Sequence, residues 1–108
     1  MTVIAEARRI VQLENGPESF PLLLSAVKIG ELVFAGIAQE PFVEIGVRVC
    51  EQSPFEKTVV CCLTNGDCGY IPTSRSYEEG GYEARSSILK RGCDDIVVDG
   101  MTELLKSL

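Results

Sequence analysis

Residues 22–63 carry the pattern that sets the architecture and read LLLSAVKIGELVFAGIAQEPFVEIGVRVCEQSPFEKTVVCCL. Two apolar runs, 22–29 and 31–37, flank a short turn that contains a glycine, which predicts a β-hairpin. From Pro41 the apolar period becomes that of a helix opened by a proline in its first turn, and a Ser-Pro pair ends it. Residues 57–63 then return to a buried strand. This order predicts a hairpin next to one β-α-β unit.

The flanking segments add helices. Apolar spacing predicts a helix over residues 2–14 and a second from Cys93 or Asp94 to Lys106. We expect the second helix to turn five side chains inward: Ile96, Val97, Met101, Leu104 and Leu105. Between them, residues 70–85 are polar and rich in glycine, with one helical turn at about 74–79.

The predicted fold class is α/β, with α+β as the alternative: a small mixed sheet with helices packed on it. Residues 1–108 form a single domain or a fragment of a larger one. Three or four strands leave an exposed sheet edge, which fits an oligomer or a piece of a wider sheet.

Composition excludes several classes of function. Ten Lys and Arg against 16 Asp and Glu give a net charge of −6, which disfavours nucleic acid and anionic membranes as partners. The chain has no histidine, which excludes most catalytic triads and imidazole acid–base chemistry from this chain alone. No segment reaches the roughly 20 apolar residues of a membrane span. As given, the chain is expected to be cytoplasmic, although a parent protein could be secreted.

The five cysteines form an odd set without a CxxC pair: Cys50, Cys61, Cys62, Cys68 and Cys93. Zinc ribbons need paired ligands at short spacing, and disulfide scaffolds usually hold an even count. We therefore expect the cysteines to act as small buried apolar residues, with free thiols, in a protein of a reducing compartment. A redox sensor is the alternative, and Cys68 is the only cysteine expected to be accessible.

Two stretches break the local pattern. In the first, Glu40 stands between the end of a strand and the start of a helix, where position alone favours helix capping over catalysis. The second, residues 65–83, holds Tyr70, Tyr77 and Tyr82 and four glycines. Tyrosine hydroxyls can donate to an oxyanion or, as phenolates, bind a hard metal. On chemistry alone, a glycine-rich loop with packed tyrosines is the simpler interpretation.

The run from about Phe34 to Ser87 resembles the later part of the neutral/alkaline, non-lysosomal ceramidase family. The shared features are a strand leading into a small-residue-Gln-Glu turn, then Ser-Pro-Phe and a buried strand. After these come Asn-Gly-x-x-Gly-Tyr-Ile-Pro-Thr, an aromatic residue and Gly-Gly-Tyr-Glu. The resemblance covers roughly half of the chain.

The resemblance implies a zinc-dependent amidohydrolase that splits N-acyl sphingosines. It implies that Glu40 and Tyr70 are metal ligands and that Tyr82, twelve positions after Tyr70, stabilises the tetrahedral intermediate. Two further zinc ligands and the acid–base group in that family are histidines from an earlier segment, which this chain lacks. It therefore implies a partial catalytic domain that binds zinc only when completed and is inactive alone.

The expected partners follow from that incomplete site. They are the missing N-terminal catalytic portion, supplied by the same or a separate chain, or a second copy in a homo-oligomer. A lipid-like N-acyl amide is the expected substrate. The rival interpretation is a non-catalytic, self-associating structural or binding module, in which Glu40 caps a helix and the tyrosines pack.

Overall fold

The computed structural model describes residues 2–67 and 69–108. Five helices and five strands follow one another in the order α1 (Val3–Glu14), β1 (Leu24–Ile29), β2 (Leu32–Ile37), β3 (Glu40–Pro41), α2 (Val43–Gln52), β4 (Lys57–Cys61), β5 (Tyr70–Ile71), α3 (Ser74–Glu79), α4 (Tyr82–Ser86) and α5 (Cys93–Lys106). The predicted α/β class, with a small mixed sheet and packed helices, is confirmed.

The hairpin and the β-α-β unit share the central strand β2. β1 pairs with β2 in antiparallel register across a turn at residues 30–31, where Gly30 has a φ of +60°. That left-handed conformation is easily reached only by glycine. β4 returns beside β2 in parallel, with Leu32 opposite Lys57, after the crossover through α2. The main sheet therefore has the order β1-β2-β4.

Helix α2 differs from its prediction at its first turn. Its N-cap is Phe42 and its first residue is Val43, so Pro41 lies in β3 rather than in the helix. The prediction was wrong because residues 40–41 pair with β5, and that pairing holds the backbone extended for two more residues. The predicted end is confirmed, with Ser53 as C-cap before Pro54.

The core lies between one face of the main sheet and the helices α2 and α5. Its fully buried members include Val33, Ala35, Ile37, Ile45, Val49, Val98, Met101 and Leu105. The expectation for Ile96 was wrong, because its side chain is 75% exposed. At about 100° per residue, Ile96 lies on the side of α5 opposite Met101 and Leu105. Val98, which the prediction left out, takes the inward position.

The opposite face of the main sheet is mostly apolar, although Lys57 lies on it opposite Leu32, and three of its apolar side chains are more than 40% exposed. Side chains alternate along each strand, which places Val27, Phe34 and Val59 in one row across this face and Ile29 beside Leu32 in the next. The exposed fractions are 55% for Val27, 64% for Ile29 and 42% for Val59. We call these five residues the outer face.

The structure bears on the expected absence of a membrane-spanning helix and on the expected burial of the cysteines. No helix within the described ranges is both long and apolar enough to cross a bilayer. Cys50 and Cys62 are exposed and Cys61 and Cys93 half-buried, all with free thiols. The expectation of buried cysteines was therefore wrong for Cys50 and Cys62, which lie on α2 and just after β4. Cys68 lies outside the described residues.

Candidate functional site

A two-residue parallel pair brings together the two segments that carry the predicted metal ligands. In it, Glu40 of β3 lies opposite Tyr70 of β5. The Glu40 amide donates to the Gly69 carbonyl at 3.0 Å, and the Phe42 amide donates to the Ile71 carbonyl at 3.1 Å. Residues thirty positions apart in sequence thus become neighbours.

The backbone position of Glu40 is fixed by hydrogen bonds to the residues just before it, at the end of the central strand β2. The segment after β2 is pinned by Thr64, whose amide donates to the Ile37 carbonyl at 2.9 Å, and by Leu63, whose amide donates to the Gln39 carbonyl at 3.1 Å. Helix α2 begins at Val43, and its N-cap makes no side-chain hydrogen bond to the helix. The capping interpretation of Glu40 is therefore wrong, and its carboxylate is not committed to helix α2.

The chain between β4 and β5 follows an unusual backbone path. Leu63 and Asn65 have φ angles of +51° and +63°, and Gly69 has +95°. A left-handed conformation at a bulky residue such as Leu63 is strained. Gly66 passes close to Ala38, because a Cβ at Gly66 would lie 3.2 Å from the Ala38 Cβ. This path returns the chain to the end of β2, where Tyr70 meets Glu40.

Ser87 fixes the backbone of Tyr70 from the other side. Its buried hydroxyl donates to the Tyr70 carbonyl at 2.9 Å and accepts from the Leu89 amide at 3.1 Å. Ser87 and Lys90 have the spacing of a serine–lysine nucleophile pair, but this hydroxyl already makes two hydrogen bonds inside the protein and is not free to act as a nucleophile.

Tyr82 reaches the same place through a sharp turn. Helix α3 ends at Gly80, in the left-handed region with a φ of 72°, and Gly81 is the N-cap of α4, whose first residue is Tyr82. Its ring meets the Tyr70 ring edge-on, with centroids 6.1 Å apart and planes at 73°. Tyr82 is 56% exposed, and its hydroxyl makes no hydrogen bond with any described residue. Neither α4 nor β5 was predicted.

The buried carboxylate of Asp94, which the sequence did not predict, holds in place the segment that follows Tyr70. Asp94, at the start of α5, is 4% exposed and accepts from the Ser74 amide at 3.1 Å and from the Ser74 hydroxyl at 2.8 Å. Arg48 of α2 donates to the same carboxylate at 3.3 Å. Asp94 therefore ties α5 and α2 to the first residue of α3, four positions after Tyr70. The sequence signal for this residue was the position of an aspartate two residues after Gly92, at the start of a predicted helix.

The surroundings of Tyr70 are strongly negative. The charge of Glu40 is the largest cause that raises the pKa of the Tyr70 phenol, followed by partial burial and by Tyr82, Glu83 and Asp67. The neighbouring negative charges and the partial burial each disfavour the negative charge of the phenolate. The pKa of the Tyr70 phenol therefore lies above its ordinary value.

The donors present in this chain make only part of a zinc site. Glu40 and Tyr70 offer two oxygen ligands, whereas zinc sites in proteins usually have three or four protein ligands. Within residues 2–67 and 69–108, no group of three or more His, Cys, Asp or Glu side chains is placed to hold a metal ion. The described residues do not fit zinc by themselves, and a full site requires ligands from another segment or chain.

An apolar groove begins directly beside Glu40 and runs between α2 and β4. It has a volume of about 490 Å³ and is lined by Pro41, Phe42, Val43, Gly46, Val47, Cys50, Glu51, Val60 and Cys62. Sequence analysis did not predict it, because its wall combines the outward side of α2 with the free edge of β4. Glu40 itself does not line this groove, but the next residue, Pro41, does.

Comparison of the chain with protein-family models, with curated proteins and with solved structures found no match. The resemblance to the ceramidase family therefore stays a prediction.

Proposed function

We propose that this chain is part of the catalytic domain of a zinc-dependent amidohydrolase that resembles the neutral/alkaline, non-lysosomal ceramidases. The observation that carries the proposal is the meeting of Glu40, Tyr70 and Tyr82 at one point. The motif resemblance names the same three residues. A loop of tyrosines packed for structure alone would not require a carboxylate opposite Tyr70 or an exposed phenol on Tyr82.

Each residue has a role that its surroundings suit. Glu40 and Tyr70 provide two oxygen ligands, and the negative field around Tyr70 favours a cation. Zinc, when bound, would supply the Lewis acid that polarises an amide carbonyl and acidifies water. The Tyr82 hydroxyl, which has no partner among the described residues, donates to the oxygen that becomes negative in the tetrahedral intermediate. The groove beside Glu40 accepts the apolar chain of a lipid-like N-acyl amide.

The site is incomplete in this chain, and we expect no activity from it alone. The histidine ligands and the acid–base group implied by the resemblance must come from an N-terminal catalytic portion or from another chain. Hydrolysis of a fluorogenic N-acyl amide by the purified chain, with ordinary zinc dependence, would contradict this part of the proposal.

The experiment that tests the ligand roles uses the three tyrosines as reporters. Carbon-13 labelling of the tyrosine Cζ atoms gives one NMR signal per residue, and zinc chloride is the probe. Because Glu40 and Tyr70 supply only two ligands, zinc should bind this chain alone weakly and only at high concentration. Under those conditions we expect zinc to shift the signals of Tyr70 and Tyr82 and to leave that of Tyr77, which is part-buried and bonded to the Leu89 carbonyl. Serine replacements of the exposed Cys50 and Cys62 remove competing thiols.

The matched variants separate ligand roles from packing. Glu40→Gln should abolish the zinc-induced shifts and should lower the pKa of Tyr70 without metal, because it removes the charge that raises this pKa most. Glu44→Gln, on the exposed side of α2, is the control and should change neither. Zinc shifts that persist in Glu40→Gln, or that are equal at all three tyrosines, would refute the ligand assignment.

A second candidate function is a non-catalytic, self-associating module, which the exposed apolar outer face favours. The two candidates make opposite predictions for Tyr70→Phe and Glu40→Gln. Ligand roles predict nearly unchanged thermal stability of this chain and lost metal affinity in a completed site, whereas packing roles predict a clear loss of stability. Differential scanning calorimetry of both variants decides between them.

A further inference from the structure

Helix α4 connects the two phenols of the candidate site, although it has only five residues. Its first residue is Tyr82, and its C-cap is Ser87, whose hydroxyl donates to the Tyr70 carbonyl at 2.9 Å. One end of α4 therefore carries one phenol, and the other end holds the backbone of the second. Helices shorter than about 12 residues are barely stable by themselves, so the position of α4 is set by the elements around it.

Ser87 is a buried junction at which α1, α4 and β5 meet. Its side chain and backbone are 3% exposed, and each of its polar atoms makes a hydrogen bond. The amide donates to the Glu83 carbonyl at 2.9 Å, and the hydroxyl bonds Tyr70 and Leu89. The carbonyl accepts from the guanidinium of Arg9, on α1, at 2.6 Å. A displacement of Arg9 is therefore passed directly to the residue that holds Tyr70.

A second contact links α1 to α4. Arg85, in the last turn of α4, donates from its Nε to Glu6 of α1 at 3.0 Å. No residue of α1 is buried, and the core cluster consists of residues from other elements. The described hydrogen bonds from α1 to other elements all end on residues 85–87. The contacts of α1 are thus concentrated on the segment that holds both phenols.

The Arg9 side chain is inserted into the body, although α1 itself lies on the surface. Its Nε is buried and has no hydrogen-bond partner among the described residues. A buried donor without a partner lowers stability, so stability alone does not account for this insertion. Departures of this kind are concentrated at functional sites. The neighbouring Arg8 is exposed and makes no hydrogen bond or ion pair in the described part of the chain.

We propose that Arg9 is a positioning residue for the proposed reaction, because it acts through Ser87 on both phenols of the site. Its bond to the Ser87 carbonyl fixes α4, and α4 keeps the two rings in edge-on contact with centroids 6.1 Å apart. In the amidohydrolase, this contact sets the distance from the Tyr70 oxygen to the Tyr82 donor. A misplacement of about 1 Å at a reacting centre can lower a rate about 100-fold. This role rests on the proposed function, whereas the ring contact itself does not.

Proton NMR of the metal-free chain tests this role through the nuclear Overhauser contact between the rings of Tyr70 and Tyr82. The wild-type chain should show the contact. Arg9→Ala should abolish it and should shift the ring signals of both tyrosines. Arg8→Ala, at the exposed neighbouring position, is the matched control and should leave both unchanged. Alanine has the highest helix propensity, so neither substitution weakens α1 itself.

A conservative variant and the core signals separate positioning from general stabilisation. Arg9→Lys keeps the charge and a donor, so it should retain the ring contact in part. The amide signals of β2, α2 and α5 should be unchanged in every variant, because α1 supplies no residue to the core.

Three outcomes would overturn the role of Arg9. They are a ring contact as strong in Arg9→Ala as in wild type, an equal loss in Arg8→Ala, and a loss that is accompanied by changes throughout the core amide signals. The absence of the contact in wild type would do the same. No metal is present in these spectra, so each outcome is independent of the zinc titration, which tests the ligand roles of Glu40 and Tyr70.

Discussion

Substitution of Asp94 by Asn removes the buried charge that joins three helices. The carboxylate is held by two donors on Ser74 and by Arg48. A hydrogen bond to a charged group contributes about 1.5–3 kcal/mol, and an amide keeps only one acceptor for these three donors. We therefore expect the free energy of unfolding at pH 7 to fall by about 2 kcal/mol, with a Tm decrease of about 10 °C for a domain of this size.

The pH dependence provides a second, independent signal. Burial alone would raise the pKa of Asp94, but the Ser74 hydrogen bonds, the Asp95 amide and the Arg48 charge outweigh it, so this pKa is lowered. A depressed pKa stabilises the folded state above the unfolded value of about 3.9, and the stabilisation is lost as the pH falls through the folded pKa. The Asn variant should therefore lose less stability than wild type on acidification below about pH 4.

Urea unfolding at pH 7 and along an acid series measures both effects. Asp95→Asn is the matched control, because Asp95 pairs with the same Arg48 but its side chain is 65% exposed. We expect that control to cost less than about 1 kcal/mol. Equal losses for the two variants, or an acid dependence unchanged by Asp94→Asn, would refute the idea that the buried carboxylate joins the helices.

Two further predictions concern the segments around the site. Gly36→Ala should lower the free energy of unfolding by about 1–3 kcal/mol, because the new Cβ would lie 2.7 Å from both the Ser25 hydroxyl oxygen and the Thr64 methyl carbon; a thermal melt checks it, and an unchanged Tm would contradict it. Tyr77→Phe should cost about 1 kcal/mol, since the hydroxyl donates to the Leu89 carbonyl at 2.6 Å. Burial is the main cause that raises the pKa of Tyr77 to about 12, so wild-type stability should fall as the pH rises above about 10, whereas the Phe variant should lack this fall in parallel alkaline unfolding curves.

The main sheet and the long helices could be predicted from the sequence because their signals are periodic. The hairpin has an apolar run on each side of Gly30, and α5 has a stripe long enough to define a face. The error at Ile96 has a simple cause. Val97 and Val98 are adjacent apolar residues, so the stripe can be centred in two ways, and only packing against the sheet selects Val98.

The candidate site was less predictable because its elements are short. β3 and β5 have two residues each, and α4 has five, too few to show any period. The proximity of Glu40, Tyr70 and Tyr82 was implied only by the motif resemblance. The support from Asp94 and Ser87 was not predictable, since it depends on residues that folding brings together across sequence separations of 20 and 17 positions.

The edge-on contact of Tyr70 and Tyr82 should give the site a circular dichroism signal in the near ultraviolet. The chain has three tyrosines and no tryptophan, so tyrosines dominate its aromatic absorption in the near ultraviolet. Two phenol chromophores held 6.1 Å apart at 73° form a chiral pair, whose coupled transitions contribute circular dichroism that a mobile loop would average away. The near-ultraviolet spectrum can therefore report whether the two segments have assembled, without any ligand, label or assay of activity.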